Sequence, residues 1–351
     1  MQASGPHRAG RTGAFDYLCV DAFLKTIVDA RALGTAFELG LIDHLDQTRN
    51  RTFDDLTKRF ECDRPGLQLL LDLLRANRVI EECAGEIRLT RHFRKALAYR
   101  DLLEAKLQFA DFISPDFSDH FTTLVKSPDR FARRARVFDL FAYNRCLEYS
   151  PENYERTKRW VRITTALTRY EAQVCMQYHD FTGHRRMLDI GGNSGEFALR
   201  LCKKYVGLSA TVLDLPLVCD IGLEHIRSEP EAGRIRFIKA NALSDPLPRG
   251  FDLVAFKSML HDWPQEDAKE FILKAGQSLE PGGTLLIFER GPLEIGETGL
   301  PYSMIPFLLF FRSFRSPSIY EDQIKRLGFR NIQIQRIDLE MPFFLVTGTK
   351  T

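Results

Sequence analysis

A short apolar run followed by a glycine turn and a helix constrains the fold of this chain most. Residues 186–190 are largely apolar and end at Gly191 and Gly192. In residues 196–205, apolar side chains then recur at helical spacing. Glycines let the backbone turn tightly and let a ligand approach closely. The pattern predicts a strand that enters a helix at the edge of a parallel sheet.

The glycine turn differs from the two common nucleotide-binding loops. It lacks the third glycine of the G-x-G-x-x-G fingerprint, and no G-K-[ST] follows it. A helix N-terminus nevertheless favours anions, and a carboxylate suits it as well as a phosphate does. Taken alone, the turn is equally compatible with an ordinary strand-to-helix connection.

Asp214 makes a bound nucleoside the better interpretation. It ends the next apolar run, residues 210–213. A carboxylate at the tip of a second strand accepts hydrogen bonds from both hydroxyls of a ribose. Pro216 follows, so the alternative is a carboxylate that caps a helix. The combination with the glycine turn favours ribose binding.

His261 follows a third strand-like run, Phe251–Lys257. In open parallel sheets, ligands bind beyond the carboxyl ends of the strands. A histidine with a pKa near 6.5 accepts a proton from a phenol, whose own pKa is about 10. The alternative is a polar residue at a strand end. Asp262 either caps the helix entered through Pro264, which we favour, or touches the substrate.

These motifs, taken together, resemble one enzyme family. The matching segments are 188–192, 212–216, 251–254, 257–263 and 279–289. In these segments the chain resembles the S-adenosylmethionine-dependent small-molecule O-methyltransferases, the group of plant phenylpropanoid and bacterial polyketide methylating enzymes. The resemblance implies an α/β fold, with a class I methyltransferase Rossmann-like sheet and an N-terminal, mainly helical winged-helix dimerisation domain.

The resemblance also implies site roles for the matched residues. It makes His261 the general base, oriented by Glu289, with Asp262 as a third catalytic candidate. It assigns an acceptor pocket to Trp160, Thr164, Met304 and Phe307. The acceptor is expected to be an aromatic small molecule. The cofactor is expected to be S-adenosyl-L-methionine, which becomes S-adenosyl-L-homocysteine. The residues that the resemblance implies would bind it are Asp189, Gly191, Gly192, Asp214, Leu215, Asn241, Ala242, Lys257, Ser258, Trp263 and Thr168.

Two positions depart from the family pattern. Asn241 stands where the family usually has Asp, which keeps an acceptor and adds a donor. The family often has a second glutamate in residues 312–318, but this chain has no acid there, and Phe314 occupies that place. Carbon or nitrogen methylation, or cofactor binding without methylation, therefore stays open. The seven cysteines form no C-x-x-C and no histidine follows His261, so no metal site is expected.

The chain is expected to divide into four segments. These are a disordered tail (1–13), a winged-helix-like dimerisation domain (14–100), a helical linker and pocket segment (101–180), and the cofactor-binding domain (181–351). The winged helix is indicated by helical spacing in residues 21–39, by helices at 53–60 and 66–76, and by a hairpin at 79–89. Such a module by itself suggests a DNA-binding regulator, but the resemblance favours a homodimer.

Charge and composition narrow the range of partners. The chain has 49 basic and 47 acidic residues, a net charge of +2, which gives no nucleic-acid footprint. The longest apolar run, 304–311, is too short for a membrane span, and no signal peptide is expected. Unpaired cysteines suggest the cytoplasm.

A capping box at Ser318 predicts a last helix, followed by strands at 331–337 and 343–349, one of them antiparallel by resemblance.

Overall fold

The computed structural model describes residues 13–48, 51–297 and 299–351. These residues form two compact units. The larger unit holds residues 120–294 and 307–351 together with the start of the chain, and the smaller unit holds residues 16–119 and 295–306. Most of the predicted tail, residues 1–12, lies outside the described residues. The four-segment division stays a prediction.

The smaller unit consists of helices and one hairpin. It begins with a 3-10 helix, Asp16–Phe23. Five α-helices follow, namely α1 (Ile27–Glu38), α2 (Leu41–Gln47), α3 (Phe53–Phe60), α4 (Arg64–Ala76) and α5 (Arg91–Leu97). Between α4 and α5 lies a hairpin of two antiparallel strands, β1 (Ile80–Cys83) and β2 (Glu86–Leu89). Helix α6 (Arg100–Lys126) starts in this unit. The predicted helix pair and hairpin are thus present, while their use for dimerisation stays a prediction.

The continuous helix expected across 21–39 is wrong. The chain breaks at residues 24–26, and α1 starts only after Thr26. The Thr26 hydroxyl accepts from the Asp29 N–H (3.1 Å), and the Asp29 carboxylate accepts from the Thr26 N–H (3.2 Å). This reciprocal capping box satisfies two helix-end donors, so it fixes a helix start that hydrophobic spacing does not reveal.

The positive charge of Arg75 on α4 is paired with nearby carboxylates. Arg75 donates to Asp72 and to Glu82, each at 2.9 Å. The guanidinium that would serve a phosphate backbone therefore already has two carboxylate partners. This observation gives the DNA-binding interpretation no support.

The larger unit is built on a seven-stranded sheet in the order β5-β4-β3-β6-β7-β9-β8. Only β9 runs antiparallel, as expected. The strands are β3 (Arg186–Ile190), β4 (Ser209–Asp214), β5 (Ile235–Lys239), β6 (Phe251–Lys257), β7 (Leu279–Arg290), β8 (Arg330–Asp338) and β9 (Pro342–Thr349). The strand order reverses between β3 and β6, which is where open α/β sheets bind ligands. The glycine turn and His261 follow these two strands.

Helices α9 (Glu196–Lys204), α10 (Pro216–Ile226), α11 (Gln265–Ser278) and α12 (Pro317–Arg326) pack against this sheet. The same unit holds α7 (Pro128–Ala132), α8 (Pro151–Tyr178) and 3-10 helices at Arg136–Phe141, Tyr143–Leu147, Pro230–Arg234 and Leu260–Asp262. A further 3-10 helix, Tyr302–Phe310, has residues in both units. Central strands buried on both faces read as continuous apolar runs, and Leu188, Val254 and Leu286 are fully buried. Among the described residues, no helix combines the length and apolar character needed to cross a membrane.

The capping residue of the last helix differs from the prediction. Ser316, not Ser318, precedes α12, and its hydroxyl accepts from the Ser318 N–H. Pro317 occupies the first helical position, where its missing N–H costs no hydrogen bond. The helix therefore starts before the serine that the pattern indicated.

Candidate active site

The glycine turn forms a backbone cradle beside a buried carboxylate. Gly191 has φ +68°, and a Cβ on Gly192 would lie 2.6 Å from the Asp189 Oδ2. Asp189 is 1% exposed, and within the described residues neither of its oxygens has a hydrogen-bond partner. Burial, with the nearby Asp214, raises its pKa to about 7. The glycines thus let the turn pack directly onto Asp189, and a buried carboxylate that lacks donors marks this turn as a candidate ligand contact.

Asp214 lies at the end of β4, opposite the glycine turn. Its Oδ2 accepts from the Asn193 N–H (2.8 Å) and its Oδ1 from the Leu215 N–H (2.7 Å). Burial raises its pKa to about 6, against the effect of these two bonds. Leu215, not Asp214, is the residue that precedes α10, so the helix-cap alternative is wrong. Each carboxylate oxygen keeps a lone pair, which suits a pair of hydroxyl donors.

Asn241 and Ala242 follow β5 at the same edge of the sheet. The Asn241 side-chain oxygen accepts from the Leu243 N–H (3.0 Å), which closes a short turn. The Ala242 carbonyl accepts from Lys274 at 2.6 Å. The Asn241 oxygen is thus used locally, so the amide NH2 is the group through which this residue would contact adenine.

A network of buried charges lies at the ends of β6 and β7. The Lys257 ammonium donates to the Thr168 hydroxyl (2.9 Å) and pairs with Glu171 on α8. Arg290 pairs with the same Glu171 and donates to the Ser258 hydroxyl (2.9 Å). Burial lowers the pKa of Lys257, although Glu171 opposes that effect. Thr168, Lys257 and Ser258, assigned to the cofactor by resemblance, are therefore neighbours in space.

His261 is held by Glu289, as expected. Its Nδ1 lies 2.7 Å from the Glu289 Oε1, and the Glu289 Oε2 accepts from the Leu260 N–H at 3.0 Å. Glu289 is 1% exposed and lies within β7, so it is a buried carboxylate and not one on the surface. Because a carboxylate accepts the proton of Nδ1, Nε2 is the nitrogen left to act as a base.

Opposing effects set the titration of this pair. Burial would lower the pKa of His261, but the charges of Glu289 and Asp262 outweigh it and raise that pKa above 6.5. Burial would likewise raise the pKa of Glu289, but the pairing with His261 and the N–H of Arg290 lower it. The histidine is thus a stronger base than a free imidazole.

Asp262 does not cap the following helix. Pro264 precedes α11, with no side-chain cap. The Asp262 Oδ2 instead accepts from the Tyr143 hydroxyl at 2.6 Å, and its Oδ1 lies 3.4 Å from the His261 Nε2. The favoured helix-cap interpretation is wrong because the 3-10 turn at Leu260–Asp262 directs the carboxylate towards the histidine.

Aromatic rings enclose the histidine. Phe314 and Phe310 have ring centroids 5.1 and 5.2 Å from that of His261. Tyr143 stacks on Trp263 (5.9 Å, 25°) and contacts Trp160 (5.4 Å). Phe314 therefore occupies the side of the histidine where an additional acid was expected.

The remaining pocket candidates are dispersed. The Thr164 hydroxyl contacts Asn193 of the glycine turn at 3.2 Å. Phe307 lies under the Arg290 guanidinium, 5.0 Å from its carbon. Met304 is buried but belongs to the smaller unit, whose segment 295–306 is held by a hydrogen bond from the Tyr302 N–H to the Lys25 carbonyl (3.0 Å). Trp160 contacts Tyr143, whose hydroxyl bonds the Asp262 carboxylate beside His261.

Comparison with known proteins identifies the family. The O-methyltransferase domain family matches residues 133–330, more than half of the chain. The chain belongs to this O-methyltransferase family. The resemblance given by the sequence motifs is thereby confirmed.

Individual relatives cover parts of the chain. A 3-hydroxy-5-methyl-1-naphthoate 3-O-methyltransferase of Streptomyces sahachiroi is 39% identical over 110 residues, 31% of this chain and 32% of that protein. The N,N-dimethyltransferase OxyT of Streptomyces rimosus is 28% identical over 58% of this chain and 60% of its own length. The chain thus spans 32% and 60% of the lengths of these two curated relatives.

Solved structures support the fold over nearly the whole chain. Human N-acetylserotonin methyltransferase, solved with S-adenosylmethionine, superimposes with a TM-score of 0.72 at 20% identity, covering 92% of this chain and 93% of that one. At this identity the likeness establishes the α/β class I methyltransferase fold.

The structure adds three residues that the sequence reasoning missed, namely Tyr143, Glu171 and Arg290. Glu171 had a signal, since it is a carboxylate on the apolar face formed by Leu167 and Val174 of α8. Arg290 directly follows the orienting Glu289. Tyr143 had no signal, because aromatic residues recur throughout its segment.

Proposed function

We propose that this O-methyltransferase family member transfers a methyl group from S-adenosylmethionine to a hydroxyl of an aromatic small molecule, with His261 as general base. The observation that carries the proposal is the 2.7 Å contact between Nδ1 of His261 and the buried Glu289. That contact directs the free Nε2 into an aromatic-lined site. Secondary metabolism is the setting that the naphthoate-methylating relative suggests.

The residues around the glycine turn fit the cofactor. Asp214 would accept from the ribose hydroxyls, and the glycine turn, which packs closely on Asp189 and Met259, would present its backbone to the ligand. Thr168 and Lys257 would meet its methionine end. When bound, S-adenosylmethionine supplies a methyl group activated by a positively charged sulfur.

His261 would remove the proton of the acceptor hydroxyl. The proton moves to Nε2 while Glu289 stabilises the resulting imidazolium through Nδ1. Such assistance contributes on the order of 10²–10⁴-fold. Because the pKa of His261 is raised, the basic form accumulates only above pH 6.5, and turnover should rise with pH through that higher value.

A planar, apolar acceptor suits the rings near the base. Trp160, Phe310 and Phe314 offer flat surfaces, and ring stacking contributes about 0.5–1.5 kcal/mol beyond area burial. The 39% identical relative carries an aromatic hydroxyl acceptor in its name, which supports the same class of acceptor.

The test supplies protein and methyl-labelled S-adenosylmethionine to an extract of the source cells. We expect mass spectrometry to find label on an oxygen of an aromatic product, and no such product with His261→Ala. Label on a carbon or nitrogen would contradict O-methylation. An absent product, with cofactor binding verified, would contradict methyl transfer to an acceptor in that extract.

Nitrogen methylation is the second candidate. It is favoured by the absence of an acid at Phe314 and by the 28% identical N,N-dimethyltransferase. A neutral amine attacks the methyl group through its lone pair and loses a proton only afterwards, from the methylated ammonium. One histidine with one orienting acid would therefore suffice. The position of the transferred label separates the two candidates.

A homodimer is the proposed assembly, on the resemblance of the N-terminal helices and hairpin. Sedimentation at micromolar concentration should give about twice the chain mass of 40.4 kDa. A mass of one chain would contradict the proposal.

A further inference from the structure

The Asp262 carboxylate lies between two groups that compete for it. Its Oδ2 accepts a 2.6 Å hydrogen bond from the Tyr143 hydroxyl. Its Oδ1 lies 3.4 Å from the His261 Nε2. Charge-assisted N–H···O bonds are about 2.7–2.9 Å long, so the second contact is too long to be one. The short bond to the tyrosine holds the carboxylate away from the histidine.

We propose that Tyr143 is a positioning residue that holds Asp262 off Nε2 of His261 and so keeps this nitrogen available to the acceptor. The inference rests on the proposed role of His261 as base. Without the restraint, the ionised carboxylate would close onto Nε2–H, trap the proton and compete with the acceptor hydroxyl for the same nitrogen.

Both ends of the restraint are anchored. The Tyr143 ring is fixed by stacking on Trp263 and by contact with Trp160. The Asp262 backbone lies in a 3-10 turn whose flanking carbonyls, those of Leu260 and Trp263, both accept from the Arg315 guanidinium. Neither partner can therefore move far, and rotation of the carboxylate is the freedom that the hydroxyl removes.

The charges that face His261 come from two elements. Glu289 and Arg290 face it from β7, and Asp262 faces it from its own turn. Tyr143 acts from a separate 3-10 helix through Asp262, and Phe310 and Phe314 add only apolar surface. Since Glu289 already holds Nδ1, Asp262 is the carboxylate that decides how accessible Nε2 is.

The test measures the pKa of the His261 ring by NMR titration of the cofactor-free protein. The His261 signal is assigned as the one missing from His261→Asn. We expect Tyr143→Phe, which keeps the stacking ring, to raise this pKa by about one unit, because Asp262 then approaches Nε2. Tyr143→Leu should shift the pKa in the same direction. A pKa that stays or falls in Tyr143→Phe would overturn the proposal.

A double-variant cycle tests whether Tyr143 acts through Asp262. Asp262→Asn should lower the pKa of His261, and adding Tyr143→Phe to it should change nothing further. If the increase from Tyr143→Phe persists in the Asp262→Asn background, the tyrosine acts by another route and the proposal is wrong. Tyr205→Phe, which removes a hydroxyl beside Phe181, is the matched control and should leave the titration unchanged.

Turnover gives a second readout once an acceptor is known. In Tyr143→Phe the rising part of the pH–rate profile should move to higher pH. At the pH values where wild-type turnover rises, the variant should turn over about tenfold more slowly, and at high pH it should recover the wild-type rate. The NMR titration needs neither acceptor nor methyl transfer, so the two hypotheses fail separately. Unchanged turnover in His261→Ala would refute the base assignment, whereas an unchanged titration in Tyr143→Phe would refute only the positioning role.

Discussion

At the residue scale, the site is built from charged side chains withdrawn from water. Asp189, His261 and Glu289 are all at least 93% buried, so their partners rather than solvent decide which are ionised. Glu289 has several donors and a lowered pKa, whereas Asp189 has none in the described residues and a raised one. The two carboxylates thus differ in environment, which fits the proposed roles of Glu289 in holding the base and of Asp189 in meeting a ligand.

Removing the base should separate chemistry from cofactor binding. His261→Ala should lower kcat by about 10²–10⁴-fold, because general-base assistance is lost. The affinity for S-adenosylhomocysteine, measured by calorimetry, should stay the same, since Asp214 and the glycine turn are untouched. His184→Ala, a change at a histidine elsewhere in the same unit, is the control. Unaltered turnover in His261→Ala would show that another group removes the proton.

Asp189 should destabilise the cofactor-free protein at high pH. Its pKa is about 7 in the fold against 3.8 in the unfolded chain, so the fold holds a proton that the unfolded chain releases. Below pH 3.8 the carboxyl is protonated in both states and does not destabilise the fold. As the pH rises from 3.8 to above 7, the free energy of unfolding falls by a total on the order of 4 kcal/mol.

The uncharged Asp189→Asn should therefore raise the free energy of unfolding at pH 8 and have much less effect at pH 4.5, as measured by urea unfolding. Asp322→Asn, at an exposed position on α12, should change neither value by more than about 0.5 kcal/mol. An equal effect of Asp189→Asn at both pH values would show that Asp189 does not titrate in this range.

At the element scale, one buried carboxylate joins three helices. Glu196 begins α9 and contacts Arg169 of α8 (3.1 Å), Arg200 of α9 (2.8 Å) and His225 of α10 (2.6 Å). Burial would raise its pKa, but these cations lower it to about 2. Since α9 follows the glycine turn directly, this cluster also fixes the direction in which the turn leaves the sheet.

Glu196→Gln should lower the free energy of unfolding by about 2–3 kcal/mol at pH 7, because Arg169 and Arg200 lose their shared anion and His225 loses its hydrogen-bond partner; a fully buried pair would lose more. The wild-type contribution is present above pH 4.5 and is lost as the pH falls towards 2, so the variant and the wild type should converge in acid. Glu224→Gln breaks an exposed pair with Lys158 and should cost at most about 1 kcal/mol. Equal losses in both variants would contradict this view of the cluster.

Sequence patterns located elements better than their ends. Strands β3, β4, β6 and β9 were recognisable because central strands are apolar throughout. Helix starts were less certain, since Thr26 and Ser316 cap through hydrogen bonds that depend on the path of the preceding loop. Asp262 illustrates the same point, because an acid before a helix was a plausible cap until the tertiary structure gave it Tyr143.

At the scale of the whole molecule, the residues proposed to bind the cofactor all belong to the larger unit. Binding should therefore stabilise that unit by linkage. At 100 times the dissociation constant, S-adenosylhomocysteine should add about 2.7 kcal/mol, which corresponds to an increase in Tm of roughly 5–10 °C.

Asp214→Ala should abolish most of this increase, as followed by differential scanning fluorimetry, because two hydroxyl partners and the anchor of the glycine turn are lost. Asp220→Ala, on the exposed face of α10, should retain it. A full thermal shift in Asp214→Ala would mean that the ribose is bound elsewhere.

The sequence by itself determined the family, the parallel sheet, the glycine turn and the sites of Asp214, His261 and Glu289. Each of these depends on residues close together in the chain or on strand ends that a parallel sheet must bring to one edge. The tertiary structure alone decided the partners of Asp262, the Glu171–Arg290 pair and the unit to which Met304 belongs. Those contacts join segments more than 100 residues apart, and their hydrogen bonds form only when packing excludes water, which no local pattern encodes.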